Sequence, residues 1–239
     1  MSFSYTDIHF HLVPKVDDGA KSIEDSMKML TLAVQIGIKK IIATSHFHLI
    51  FPIEKQFYEK QFSLLKQKVK EEQIPIELYL GNEIYYREDT IQKLLNQECF
   101  TLAGSRYILL EFHPEEAYQT IANAVKSFRS LGFLPIIAHI ERYRHVMHEW
   151  EKAENLVSMG AYLQMNATTV VRNASSFFCT EIILLRKKIV HFIASDSHNL
   201  ERMPYLKKAR RIVKFYSGKS YAQLIFQENQ EKILQNQVL

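Results

Sequence analysis

Cysteine is nearly absent: Cys99 and Cys179 are the only two in 239 residues, which excludes a disulfide framework. Neither opens the Cys-x5-Arg loop of a thiol-based phosphatase, because Arg106 and Arg186 each fall one position too far along. Glycine and proline are also sparse, at 7 and 6 residues, so no low-complexity linker divides the chain and one domain over residues 1–239 is expected. Long apolar runs are missing. The longest, such as Phe133 to Ile137, stop far short of the ~18 to 20 residues that cross a bilayer, so no membrane span is expected. The opening MSFSYTDIHF does not follow the basic, apolar, small-residue order of a signal peptide, and a cytoplasmic location is therefore the expectation. Charge of one sign is lacking too. The net charge of +4 suits an acidic substrate and gives no indication of nucleic acid. What is abundant is core material: 47% hydrophobic and 12% aromatic residues offset the cost of ordering the chain and exclude disorder.

Short β-branched apolar runs alternate with segments of helical period. Strands are expected near Tyr5–His11, Lys39–Ser45, Ile76–Asn82, Tyr107–Phe112, Leu134–His139, Ala161–Asn166 and Ile189–Ser195. Helices are expected over Ile23–Ile36, Ile53–Glu72, Thr90–Leu95, Ala117–Leu131, Glu149–Met159, Val171–Arg186 and Leu200–Tyr216, with Ser220–Leu239 as two short helices packed outside. Ser22 followed by Asp25 is a capping signal, and Gly37, Gly132 and Gly160 suit left-handed helix ends. Repeated strand-then-helix units predict an α/β fold with a parallel sheet, either open and doubly wound or closed as a TIM-like barrel.

Ligand-type side chains stand at the C-terminal end of nearly every expected strand: His9 and His11, His46, Glu83, Glu111, His139, then Asp196 with His198. A period of two points both imidazoles of the first pair to one face. In parallel α/β architectures these strand ends form the rim where ligands bind. A lone His or Glu after a strand is ordinarily a surface residue, and Asp196 alone is explained by helix capping. Coincidence across six strands at one end of one sheet decides for a metal centre. Imidazole and carboxylate without thiolate point to Zn, Mn or Fe.

Taken in order, His9-Phe10-His11, Asp17-Asp18-Gly19, Thr44-Ser45-His46, Gly81-Asn82-Glu83, Leu110-Glu111, His139-Ile140-Glu141-Arg142-Tyr143 and Ser195-Asp196-Ser197-His198 resemble the polymerase-and-histidinol-phosphatase superfamily. Within it they are similar to the bacterial manganese-dependent protein-tyrosine phosphatases of capsule and exopolysaccharide loci. The resemblance runs from Asp7 to about Arg202. It implies a distorted (β/α)7 barrel with three divalent ions, manganese first and iron, zinc or magnesium as alternatives. By the same resemblance His9, His11, Glu83 and Asp196 would hold one ion, and Glu83 would bridge to a second completed by Glu111 and His139. Asp18, His46 and His198 would hold the third, with Asp17 as the alternative to Asp18, and Arg142 and Arg202 would bind the anion.

The motif departs from the family where Ile140 replaces a proline, which loosens the expected placement of Arg142 but leaves metal ligation untouched. His113 is an extra histidine with either a substrate contact or a rim position, whereas His48, His145 and His148 read as surface residues. Tyr85, Tyr86 and Tyr143 lie close to ligand positions and either stack on an aromatic substrate or line the rim. Lys207, Lys208, Arg210, Arg211 and Lys214 read as a solvated helix face that is able to attract an acidic tail. The resemblance implies hydrolysis of phosphotyrosine on a protein tail, that of a tyrosine autokinase controlling capsule synthesis. Two other readings stand beside it: a small-molecule phosphatase acting on a compound such as histidinol phosphate, and an idle regulatory binding module.

Overall fold

The computed structural model describes residues 3–52, 54–176, 178–201 and 205–239. Its strands are β1 (Tyr5–Phe10), β2 (Ile38–Ala43), β3 (His46–Phe47), β4 (Glu77–Leu80), β5 (Glu83–Tyr85), β6 (Tyr107–Glu111), β7 (Leu134–Ile137), β8 (Tyr162–Asn166) and β9 (Phe192–Ala194). All ladders between them are parallel, in the orders β1-β2-β4 and β3-β5-β6-β7-β8-β9. The two sheets are one ring interrupted by kinks. Gly81 N–H donates to Ala43 O at 2.8 Å and Glu83 N–H to Thr44 O at 3.3 Å, so β3 continues β2 and β5 continues β4. A parallel bridge of Phe10 to Ser197 and the bond from His11 N–H to Ser197 O at 2.9 Å join β9 back to β1. The expected distorted seven-stranded barrel is therefore present.

The kinks have local causes. The buried Asn82 side chain replaces the missing ladder bonds, donating to Ser45 O at 2.9 Å and accepting from Phe100 N–H at 2.9 Å. Gly81 beside it leaves room for tight packing, since a Cβ there would lie 2.9 Å from Leu102 Cδ2 and 3.3 Å from Leu102 Cα. His46 opens the strand beyond one kink and Glu83 the strand beyond the other.

The α-helices are α1 (Ile23–Ile36), α2 (Lys55–Glu71), α3 (Thr90–Leu95), α4 (Tyr118–Ser130), α5 (Arg144–Met147), α6 (Trp150–Ser158), α7 (Ala167–Arg172), α8 (Thr180–Arg186), α9 (Tyr205–Ser217), α10 (Lys219–Gln223) and α11 (Asn229–Leu234), with short 3-10 turns at Leu102–Gly104 and Ile140–Arg142 and a π-helical turn at Leu224–Glu228. The expected capping signal at α1 is realised: Ser22 Oγ accepts from Asp25 N–H at 3.1 Å, and Gly37 ends the helix in the left-handed region. One helix expected over Val171–Arg186 is instead α7 and α8, separated at the Asn173-Ala174-Ser175-Ser176 run. Side chains of that kind compete with helical bonding by offering local backbone partners. Of the helix expected over Leu200–Tyr216, Leu200 and Glu201 lie in a turn, and the described helix α9 spans Tyr205–Ser217.

The tail does not merely pack outside. Ile233 of α11 is fully buried among Ile8, Ile42, Leu109, Ile136 and Ala194, so it fills the barrel from below. Glu231 fixes this plug by accepting from Thr6 Oγ1 at 3.0 Å and Lys40 Nζ at 2.7 Å. The inner faces of the strands narrow to apolar residues there, and a plug excludes the water they would otherwise meet. Closure of that end leaves the opposite, C-terminal rim as the mouth. Among the described residues no helix is long and apolar enough to cross a membrane.

Candidate metal centre

The rim is built by side chains from six strand ends. His9 and His11 follow one another at the end of β1 and are wholly buried. His46 comes from β3, Glu83 from β5, Glu111 from β6, His139 from the turn after β7, and Asp196 and His198 from the loop after β9. Two of these residues hold unusual backbone: His139 has φ 31° and Asp196 φ 50°. Non-glycine residues in the left-handed region are uncommon and concentrate at functional sites. Here the reversal turns each side chain from the strand line into the mouth.

The donors meet in overlapping sets. His9, His11, Glu83 and Asp196 present ligand atoms within 4.8 Å of one another, as do His11, Asp18, His46 and His198, and likewise His46, Glu83 and Glu111. His139 stands beside the last set, its Nε2 at 2.7 Å from Glu83 Oε1 and 3.4 Å from Glu111 Oε1. All nine residues expected at the centre are thus brought together. The grouping differs from the expected partition in three respects: His11 also joins Asp18, His46 and His198; His46 takes the place expected for His139 beside Glu83 and Glu111, with His139 standing next to that set; and His46 thereby reaches two sets, Nδ1 lying 3.1 Å from Glu83 Oε2 and Nε2 3.6 Å from Asp18 Oδ1.

Asp17 and Asp18 divide the work. Asp17 is turned inward, where its carboxylate accepts from His11 Nδ1 at 2.7 Å, His46 N–H at 3.0 Å and Gly19 N–H at 3.0 Å. Asp18 faces the mouth, with Oδ1 3.4 Å from His198 Nε2. Gly19 permits this packing, since a Cβ there would lie 2.3 Å from His11 O. Spent on three donors, Asp17 orients His11, and Asp18 is left as the carboxylate that faces the mouth.

The arrangement fits metal ions. His9 Nε2 and His11 Nε2 lie 3.2 Å apart, and both approach Glu83 Oε2 at 3.1 and 3.2 Å. Glu83 Oε2 and His46 Nδ1, 3.1 Å apart, are nevertheless buried without a hydrogen-bond partner. Buried polar atoms in that state are costly unless something else satisfies them. Nitrogen and oxygen donors without sulfur suit Mn, Fe, Zn and, for the carboxylate-rich part, Mg.

Charge is strongly coupled across the centre. Burial opposes charge on His11, yet Asp17 and Glu83 hold its pKa well above the usual imidazole value. Burial likewise opposes charge on His139, but Glu111 and Glu83 raise it to about 9. Against the cost of burial, His9, His11 and His139 hold the Glu83 carboxyl well below its ordinary range. His198 goes the other way, to about 4, through burial and the neighbouring positive His11, on which its ring stacks at 3.7 Å. Arg142 borders the same carboxylates, pairing with Asp196 Oδ2 and lying 3.7 Å from Glu111 Oε1. These ion pairs place its guanidinium even though Ile140 stands where the family motif has proline. A cavity of about 530 Å³ opens beside it, lined by Glu141, Asn166, Thr169, Arg172 and Tyr205 among others.

Other expected contributors fall elsewhere. Arg202 lies outside the described residues. Tyr143 is fully buried, its hydroxyl accepting from Phe112 N–H at 3.1 Å and lying 3.4 Å from His139 Nδ1, so it backs the rim from the core and cannot stack on substrate. Tyr86 packs on Phe112, while Tyr85 meets His48 edge-on at 4.2 Å and stays half-buried. His113 is exposed and its Nδ1 accepts from Glu115 N–H within its own turn. Sequence reading missed Gln164 and Asn166, both buried on the inner face of β8. The signal was present: amides at alternate positions of Tyr162-Leu163-Gln164-Met165-Asn166, on the same parity that carries ligands in other strands.

A family model for capsular polysaccharide synthesis, CpsB/CapC, matches residues 5–235. The tyrosine-protein phosphatase CpsB of Streptococcus pneumoniae is 34% identical over 243 residues, covering 98% of this chain and 99% of that one. Its namesake from Streptococcus agalactiae serotype III (strain NEM316) is 32% identical over 238 residues, covering 96% and 98%. A crystal structure described with YwqE from Bacillus subtilis and CpsB from Streptococcus pneumoniae, as unique metal-dependent tyrosine phosphatases, superposes with a TM-score of 0.89 at 28% identity, covering 98% of this chain and 96% of that one. Matched along nearly its whole length in sequence and in fold, the chain belongs to the CpsB/CapC family of capsular polysaccharide synthesis.

Proposed function

We propose that this chain is a metal-dependent phosphatase that hydrolyses phosphotyrosine in proteins. The observation that carries the reading is the convergence of nine imidazole and carboxylate side chains at one open rim, with Glu83 Oε2 and His46 Nδ1 buried there without a hydrogen-bond partner; the family supplies the reaction class. Three divalent ions are assigned, manganese first and iron, zinc or magnesium as alternatives. His9, His11, Glu83 and Asp196 would hold one, Glu83, Glu111 and His139 the second with His46 in reach, and Asp18, His46 and His198 the third. When bound, such ions lower the pKa of water and polarise phosphoryl oxygens.

The chain's own groups do the rest. Glu83, Glu111, Asp196 and Asp18 hold four negative charges, so three dications leave a surplus of two, which a phosphate monoester neutralises. Asp17 adds a charge behind His11, and Arg142 offsets it. The Arg142 guanidinium, tied on one edge to Asp196 and 39% exposed, offers its remaining donors to phosphate at the mouth. Arg202 is assigned the same task from its motif alone. No group is assigned as general acid, and a phenol of pKa ~10 leaves with less help than an alcohol. The substrate assigned is the phosphorylated tail of a tyrosine autokinase that governs capsule synthesis, met in the cytoplasm.

The test is kcat/KM on a phosphotyrosine peptide, a phosphoserine peptide and histidinol phosphate, with and without chelator. Chelation is expected to abolish activity, with phosphotyrosine the best substrate. Undiminished turnover after chelation would refute the metal mechanism, and a tenfold preference for histidinol phosphate would make this a small-molecule phosphatase.

A further inference from the structure

β8 brings no imidazole or carboxylate to the rim, yet its inward side chains touch three of the strand ends that do. Gln164 Oε1 accepts from His139 N–H at 2.8 Å and from His9 Nδ1 at 3.1 Å. Gln164 Nε2 donates to Asn166 Oδ1 at 2.8 Å, and Asn166 Nδ2 donates to Asp196 Oδ2 at 2.8 Å. Both amides are buried, at 0% and 5% exposure, so water does not compete for these bonds.

The direction of the chain is determined at one end. A backbone N–H can only donate, so the Gln164 oxygen must face His139, and its NH2 must face Asn166. Asn166 is forced in turn to accept from Gln164 and to donate to Asp196. The other end agrees, because a carboxylate only accepts. His9 then carries a proton on Nδ1, against the Gln164 oxygen, which leaves Nε2, beside Glu83, His11 and Asp196, as the nitrogen that would offer its lone pair to a bound ion.

We infer that Gln164 and Asn166 form a one-way amide relay that positions the metal centre, Gln164 selecting the ligating tautomer of His9 and Asn166 aiming the Asp196 carboxylate. Both are positioning residues: neither touches substrate, and each acts through a ligand. The inference rests on the metal reading above. Outer partners of this kind typically change metal affinity by ~10- to 100-fold when removed.

The test measures metal dissociation constants by competition with a chromogenic chelator, alongside thermal melts of the metal-free proteins. Asn166→Ala and Asn166→Asp are expected to weaken Mn binding by roughly 10- to 100-fold. N166D, nearly isosteric, should be the weaker binder, because its carboxylate faces that of Asp196. Gln164→Met should weaken binding comparably by removing the acceptor from His9. In an Asp196→Asn background, Asn166→Ala should move the affinity by less than about threefold, since the partner through which it acts is changed. Unchanged affinity in N166D, or a full loss repeated in the D196N background, would overturn the relay while leaving the metal centre standing. A wild-type protein that binds no ion would remove the centre and the relay together. Should N166A melt below the assay temperature, N166D and Q164M decide the matter.

Discussion

Metal loading must displace protons, and the structure says which. The His139 pKa stands near 9, because Glu111 at 3.4 Å and Glu83 at 2.7 Å outweigh burial. His11 is likewise held well above the ordinary imidazole value by Asp17 and Glu83, burial notwithstanding. A metal requires both as neutral ligands, so each gives up a proton on binding. Below its pKa, each such imidazole makes affinity rise roughly tenfold per pH unit, equivalent to about 1.4 kcal/mol. Between about pH 6.5 and 8.5 the affinity should therefore climb roughly 100-fold from His139 alone, and more steeply with His11. The metal-free protein should behave oppositely. The folded pKa of His139 exceeds the unfolded value of ~6.5, so its ion pairs contribute fully below about pH 6.5 and that contribution is lost as pH rises through about 9. The assay is manganese titration calorimetry across this range in two buffers of different ionisation enthalpy, which counts protons released, paired with urea melts of the chelated protein. One to two protons are expected per chain near neutrality. Affinity independent of pH, with less than about half a proton released, would refute the assignment of these imidazoles as ligands protonated in the free protein.

Two further outcomes follow from the same geometry. Asp196→Ala should abolish hydrolysis with the fold retained, whereas alkylating thiols should leave the rate nearly unchanged: Cys99 is buried with its pKa pushed up to about 12, which disfavours the thiolate, and neither cysteine belongs to the rim. Activity lost on alkylation but kept in D196A would refute the metal mechanism. Arg142→Ala should lower kcat/KM by about 10- to 100-fold, the ~1.5 to 3 kcal/mol of a charged hydrogen bond, read on a phosphotyrosine peptide. Unchanged kinetics would remove Arg142 from phosphate binding.

Sequence alone determined the order of the barrel and the identity of its rim. The strand-to-helix alternation placed seven strands within a few residues, and ligand-type side chains at successive strand ends marked His9, His11, His46, Glu83, Glu111, His139, Asp196 and His198, because parallel strands present their C-terminal ends to one mouth. Other decisions needed three dimensions. Asp17 and Asp18 are chemically identical neighbours, and only the approach of His11 and His46 backbone and ring to Asp17 leaves Asp18 the outward one. Tyr143 looks like a rim aromatic in sequence but lies below the surface, its hydroxyl between the Phe112 N–H and the His139 ring. The tail reads as a surface pair of helices, yet Ile233 meets residues from strands begun more than a hundred positions earlier. Gln164 and Asn166 are ordinary polar residues until β8 is set between β7 and β9, where their amides reach His139, His9 and Asp196. Local pattern encodes which face a side chain takes; which partner waits on that face is set by contacts distant in sequence, and those exist only once the barrel has closed.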